Sequence, residues 1–171
     1  MALLLKTLLK ALGFDARLTD IGTDEIPFKM SEVPTLAGAN HVICTLFYKG
    51  KTFYIDATCN HIPYTYTPQH IQGSEAMIEN GDKPLMQIVP QQKADSSIDS
   101  LSYAYHLQGD ALVGKANYLL RGDMKEWFMS LIDDAGNKNS EEILANNLNA
   151  DTHNMTVNNV KWIDKDARNV W

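Results

Sequence analysis

His41 and Asp56 flank a short turn sequence in a way that can set an imidazole beside a carboxylate. The stretch NHVICTLFYKGKTFYIDAT, Asn40 to Thr58, holds two apolar, β-rich runs around Lys49-Gly50. It predicts a hairpin closed by a two-residue turn. In that register Tyr48 opposes Lys51, Cys44 opposes Ile55 and His41 opposes Thr58. Asp56 then lies diagonally from His41 on the same face, roughly 7 Å away along the backbone, within hydrogen-bonding reach of its side chain. A carboxylate that accepts from one ring nitrogen fixes the tautomer and leaves the other nitrogen free as a general base. This is the orienting half of a nucleophilic triad.

The register is testable by burial. One face collects Val42, Cys44 and Leu46 against Phe53, Ile55 and Ala57, all apolar, and the other His41, Ile43 and Thr45 against Thr52, Tyr54 and Asp56. A slip of one residue would mix the two sets. Taken without its surroundings, a His and an Asp on the semi-polar face read as a surface pair. Neither cysteine fits as their nucleophile. Cys44 falls on the apolar face as a small core residue, and Cys59 projects with that face beyond the paired region. Cys59 stands four residues along from Ile55, about 13 Å by strand rise, so a disulfide between the two is not expected. Cys59, His61 and His70 match no structural zinc spacing, and no metal or organic cofactor is called for.

The run ALLLKTLLKALGFDARL, the proline-bearing loop, NHVIC and GKTFYIDAT together resemble the transglutaminase-like, papain-type cysteine enzyme core of bacterial multidomain proteins over about residues 1–90. The resemblance implies a Cys-His-Asp triad with His41 as the catalytic His and Asp56 as its orienting Asp. The Cys has no counterpart here and is expected just before Met1, in the first turn of the helix that opens the chain. There a helix N-terminus lowers a thiol pKa. The implied activity is peptide or amide hydrolysis, or acyl transfer, on a protein or peptide substrate. This chain by itself is expected to be inactive. The competing expectation is a non-catalytic protein-binding or scaffolding module, and a third is a structural fragment without separate activity. By the same resemblance, a periplasmic or cell-surface location is favoured over the cytoplasm.

Several elements must position these residues. Leu4, Leu5, Leu8, Leu9 and Leu12 share one face of a helix over 2–12, with Gly13 as its C-terminal stop. A strand follows over 14–22, then a long connection over 23–39 with Pro27, Pro34 and Gly38. Residues 60–73, with Pro63 and Pro68, read as irregular with a short helical turn, and short strands are expected at 75–79 and 85–89. The polar stretch PQQKADSSIDS serves as a linker, dividing the chain into 1–92 and 93–171. Beyond it, strands at 101–107 and 111–120 flank a Gly109-Asp110 turn. Asp123 with Glu126 suggests a capping box for a helix ending at Gly136, a second helix runs over 141–148 behind Asn139 or Ser140, and Met155, Val157, Val160 and Trp162 give the tail strand character. The Arg121-Gly122-Asp123 tripeptide is explained by its place at the turn and cap. Over 97–171 the order of elements resembles the β-rich domain of unknown function that follows the transglutaminase-like core in the same proteins. The expected fold is α+β: a truncated core with an antiparallel sheet packed on an N-terminal helix, and a small β-rich domain with one or two helices.

Composition sets the outer bounds. With 44% hydrophobic and 21% charged residues in 171, the chain has the balance of a folded protein. A net charge of −6 without a basic run argues against nucleic acid as a partner. No apolar stretch approaches the roughly 20 residues of a membrane span. Lys6 and Lys10 interrupt the leading leucines at helical spacing, which speaks against a signal peptide.

Overall fold

The computed structural model describes residues 1–32, 36–136, 140–150 and 156–163. Pro34, the cap candidate Asn139 and Met155 lie outside these residues. The fold is α+β, with three α-helices among the described residues, a curled antiparallel sheet and a second, two-stranded sheet.

Helix α1 (Ala2–Ala11) ends as its spacing predicts, with Gly13 in the left-handed region at φ 84°. Strand β1 (Asp15–Ile21) follows so closely that the chain reverses and α1 runs back along β1 and β2. Strands β2 (His41–Tyr48) and β3 (Lys51–Ile55) form the expected hairpin. Tyr48 pairs with Lys51 and Cys44 with Ile55, and the turn places Lys49 at φ 49° and Gly50 at φ 72°. Two consecutive positive φ angles match the right-handed strand twist, which makes this turn the tightest closure available. With β4 (Glu75–Ile78) and β5 (Leu85–Ile88) the sheet order is β3-β2-β1-β4-β5.

The sheet curls until its two outermost strands meet. The Tyr54 hydroxyl on β3 donates to Gln87 Oε1 on β5 at 2.6 Å. The enclosed core is Ile21, Ile43, Tyr54, Ile71, Ala76, Ile78 and Val89. Each fully buried isoleucine there contributes about 2 kcal/mol of transfer free energy. Thr19 and Thr45, also fully buried, satisfy each other across β1 and β2 at 2.6 Å. The semi-polar face of the hairpin is therefore the interior of the curl. The all-apolar set, with Cys44 and Leu46 buried beside Ala16, lies on the side left for α1. A hydroxyl or phenol is tolerated inside because each has a partner.

Strands β6 (Ile98–Gln108) and β7 (Ala111–Arg121) form a ribbon around Gly109 at φ 62°. Most of the ribbon is exposed on both faces, and its root packs through Tyr118 and Leu120 on a second core of Phe128, Met129, Ile132 and Leu144. That core belongs to helices α2 (Asp123–Asp134) and α3 (Ser140–Ala150).

Two expectations are corrected. Asp123 and Glu126 form no capping box: Gly122 is the N-cap, without a side-chain cap bond, and both carboxylates reach to the loop after β3. Gly122 has φ 59°, and a Cβ there would stand 2.5 Å from the Ser96 carbonyl oxygen, so the chain enters α2 through a backbone contact that only glycine permits. The tail from 156 to 163 forms no strand. Val160 and Trp162 pack on the helical core instead, and the Trp162 indole donates to Ser140 Oγ at 2.9 Å.

Candidate functional site

The paired ladder of the hairpin stops at Cys44 and Ile55, so the expected pairing of His41 with Thr58 does not form. His41 is held from the other side, opposite Ile21 at the end of β1. Asp56 is the first residue past β3, where the chain turns. Its Oδ1 accepts from the Thr58 N–H at 2.9 Å and from the Thr58 hydroxyl at 2.7 Å. This local turn aims Oδ2 back along the sheet. There His41 Nε2 meets it at 2.7 Å, so the expected contact forms although the pairing expected to carry it does not.

His70 completes the group. Its Nε2 lies 2.9 Å from the same Oδ2, and its ring stands edge-on to that of His41 with centroids 5.6 Å apart. All four acceptor positions of the carboxylate are thereby used. The Asp56 side chain is 1% exposed, against 23% for His41 and 35% for His70, so a buried anion carries two imidazoles that reach solvent. Burial alone would raise the Asp56 pKa. The bonds from His70, from the N–H and hydroxyl of Thr58 and from His41 outweigh it and hold the carboxyl well below the usual range. For His70, the bond to Asp56 raises the pKa against the opposing effect of burial.

His70 is the residue that sequence reasoning did not assign to this site. The sequence groups it only with Cys59 and His61, and among the described residues those three do not form a cluster of donor atoms. His61 Nε2 pairs with Asp133 Oδ2 at 2.8 Å. Burial pushes the Cys59 thiol up, and the Asp56 and Glu126 charges push it further, to about 12. The Cys44 thiol is likewise pushed up by burial, with Lys6 acting against it. Neither thiol is poised to ionise.

The segment that carries His70 is anchored from α2. Asp123 accepts the Gln69 N–H at 2.9 Å and the Tyr66 hydroxyl, while Glu126 accepts the N–H groups of Asn60 and His61 at 2.9 and 2.7 Å. A short 3₁₀ turn over Gln69–Ile71 then sets His70 outward, with Ile71 in the core beneath.

Chemically, the arrangement can hold a proton on either imidazole, orient His41 for base catalysis through Nδ1, or ligate a cation. Comparison with family models, with curated proteins and with solved structures finds no match to this chain.

Proposed function

We propose that His41 and Asp56 are the base and orienting members of a Cys-His-Asp site for peptide or amide hydrolysis, or acyl transfer, of the transglutaminase-like kind. The observation that carries this reading is the 2.7 Å contact between His41 Nε2 and Asp56 Oδ2. It commits one ring nitrogen to the carboxylate and leaves Nδ1 to take a thiol proton. The thiolate attacks an amide carbonyl, His41 returns the proton to the leaving amine as the C–N bond breaks, and water or a second amine resolves the thioester. In this reading the thiol stands ahead of α1. Since α1 runs back along β1, its first turn lies toward the His41 end of the sheet, which supports that position. In this reading Cys44, fully buried on the face of the hairpin opposite His41, and Cys59, whose thiol is pushed up to about 12, are not the nucleophile, and this chain by itself is inactive.

The coding sequence ahead of Met1 is the test. A Cys codon within the preceding handful of residues, followed in the longer protein by a trapped thioester that His41→Ala abolishes, supports the reading. Absence of such a codon, or thiol-dependent turnover by this chain alone, overturns it.

A second reading, a non-catalytic protein-binding module, is favoured by the β6–β7 ribbon. Tyr103, Tyr105, Leu107, Leu112 and Val113 are exposed there, and the rings of Tyr103 and Tyr105 stack at 5.3 Å in solvent. A two-stranded ribbon of this length gains little from its own pairing, and exposed apolar surface of this kind marks contact sites.

A further inference from the structure

Three donor atoms on different segments converge at one point: Nε2 of His41 from β2, Nε2 of His70 from the 3₁₀ turn, and Oδ2 of Asp56. All lie within 4.8 Å of one another. An ion ligated at about 2.0–2.1 Å by each would set its donors roughly 3 Å apart. The present separations of 2.7 and 2.9 Å from Oδ2 need only a few tenths of an ångström to open, while the two imidazole nitrogens, within 4.8 Å of each other, close on the ion by turning of the partly exposed rings.

The surroundings suit a ligand set. Thr58 occupies Oδ1 with two hydrogen bonds, so only Oδ2 is offered, and such an outer partner fixes the orientation of a ligating carboxylate. Both imidazoles are partly exposed, which leaves the open side to water. Two imidazoles and one carboxylate, with no thiolate, suit transition ions over calcium or magnesium.

We propose that His41, Asp56 and His70 bind one divalent transition-metal ion through the two Nε2 atoms and Oδ2, with water completing the shell. Resting on the function proposed above, the ion acts as an inhibitor. Coordination at Nε2 moves the proton of neutral His41 to Nδ1, and the nitrogen that must take the thiol proton is then filled. Metal binding and base catalysis exclude each other at His41.

Isothermal titration of the metal-stripped chain with Zn²⁺ tests this, with Co²⁺ as a spectroscopic probe of coordination. One Zn²⁺ per chain in the micromolar range is expected, weakened at least tenfold in His70→Ala and unchanged in His61→Ala. Nitrogen-15 spectra of the histidine rings should show Zn²⁺ on Nε2 of His41 and the proton on Nδ1. Should His70→Ala fail to fold, His70→Gln and the ring spectra of the unsubstituted protein decide. No Zn²⁺ binding, or binding indifferent to His70 substitution, overturns the proposal. Zinc binding without a thioester in the longer protein would sink the acyl-transfer reading alone, and a His41-dependent thioester without zinc binding would sink this one alone.

Discussion

The rings of His41 and His70 meet edge to face, 5.6 Å between centroids, over a single carboxylate oxygen. Two imidazoles so close cannot both take a proton without repulsion, and Asp56 offers one negative charge to share between them. The pKa of His70 is raised chiefly by its bond to Asp56. Proton NMR titration is expected to find His70 above the free-imidazole value of about 6.5. Asp56→Asn should bring it down by removing the bond and the charge together, and an unchanged His70 in that variant would show that the contact does not set its titration.

Stability should follow the same two groups. Asp56 titrates lower in the folded chain than in the unfolded one, so its contribution is complete above about 4 and is lost as pH falls from there through the folded value. His70 titrates higher when folded, so its contribution is complete below about 6.5 and is lost as pH rises through the folded value. Denaturation with urea across pH is expected to give a maximum between these limits. Asp56→Asn should cost about 2–3 kcal/mol at the maximum, since it leaves buried donors without a charged acceptor, and should flatten both flanks. A loss below about 0.5 kcal/mol would mean that solvent replaces the carboxylate.

The cysteines give a third expectation. Cys44 is fully buried, and the Cys59 thiol is pushed up to about 12 by burial and by the carboxylates of Asp56, Glu126 and Asp123. Alkylation of the folded chain by iodoacetamide at pH 8 should run at least about a hundredfold slower than for a free thiol, and unfolding in urea should restore the ordinary rate. Fast modification of Cys59 in the folded chain would place a reactive thiol beside Asp56 and reopen the choice of nucleophile.

How far the molecule is legible in its sequence depends on whether a residue's place is set locally. Lys49-Gly50 specifies a two-residue turn and the turn sets the register as far as Cys44 and Ile55; beyond it, His41 held opposite Ile21 and Asp56 held by the Thr58 turn bring the two side chains together. The GD turn at Gly109 sets β6 against β7 in the same way. His70 has no such local signal. Its segment lacks a period, and its position comes from Ile71 entering the core and from Asp123 holding the Gln69 N–H, 54 residues away in the chain. Asp123 and Glu126 suggest a capping box for the same reason, since a carboxylate at a helix start looks alike in sequence whether it caps its own helix or another segment. The tail has the residue types of a strand, but Val160 and Trp162 pack on the helical core, and tertiary packing overrides strand propensity.

That long-range anchoring predicts coupling between α2 and the site. Asp123 and Glu126 together hold four donors of the segment between Asn60 and Gln69, next to His70. Bonds to a charged acceptor contribute about 1.5–3 kcal/mol when shielded, and less at this partly exposed contact. Asp123→Ala is therefore expected to cost about 1–2 kcal/mol. Asp123 also adds to the raised pKa of His70 through its charge, so the substitution should lower the His70 titration by a fraction of the drop seen in Asp56→Asn. Asp123→Asn separates the two effects: its amide keeps an oxygen for the Gln69 N–H while the charge is gone. If His70 titrates alike in both variants, charge alone links α2 to the site. If Asp123→Ala lowers it further, the anchored loop itself positions His70 against Asp56. An His70 pKa unmoved by either change would separate the helix from the site altogether, leaving Asp123 a purely structural contact.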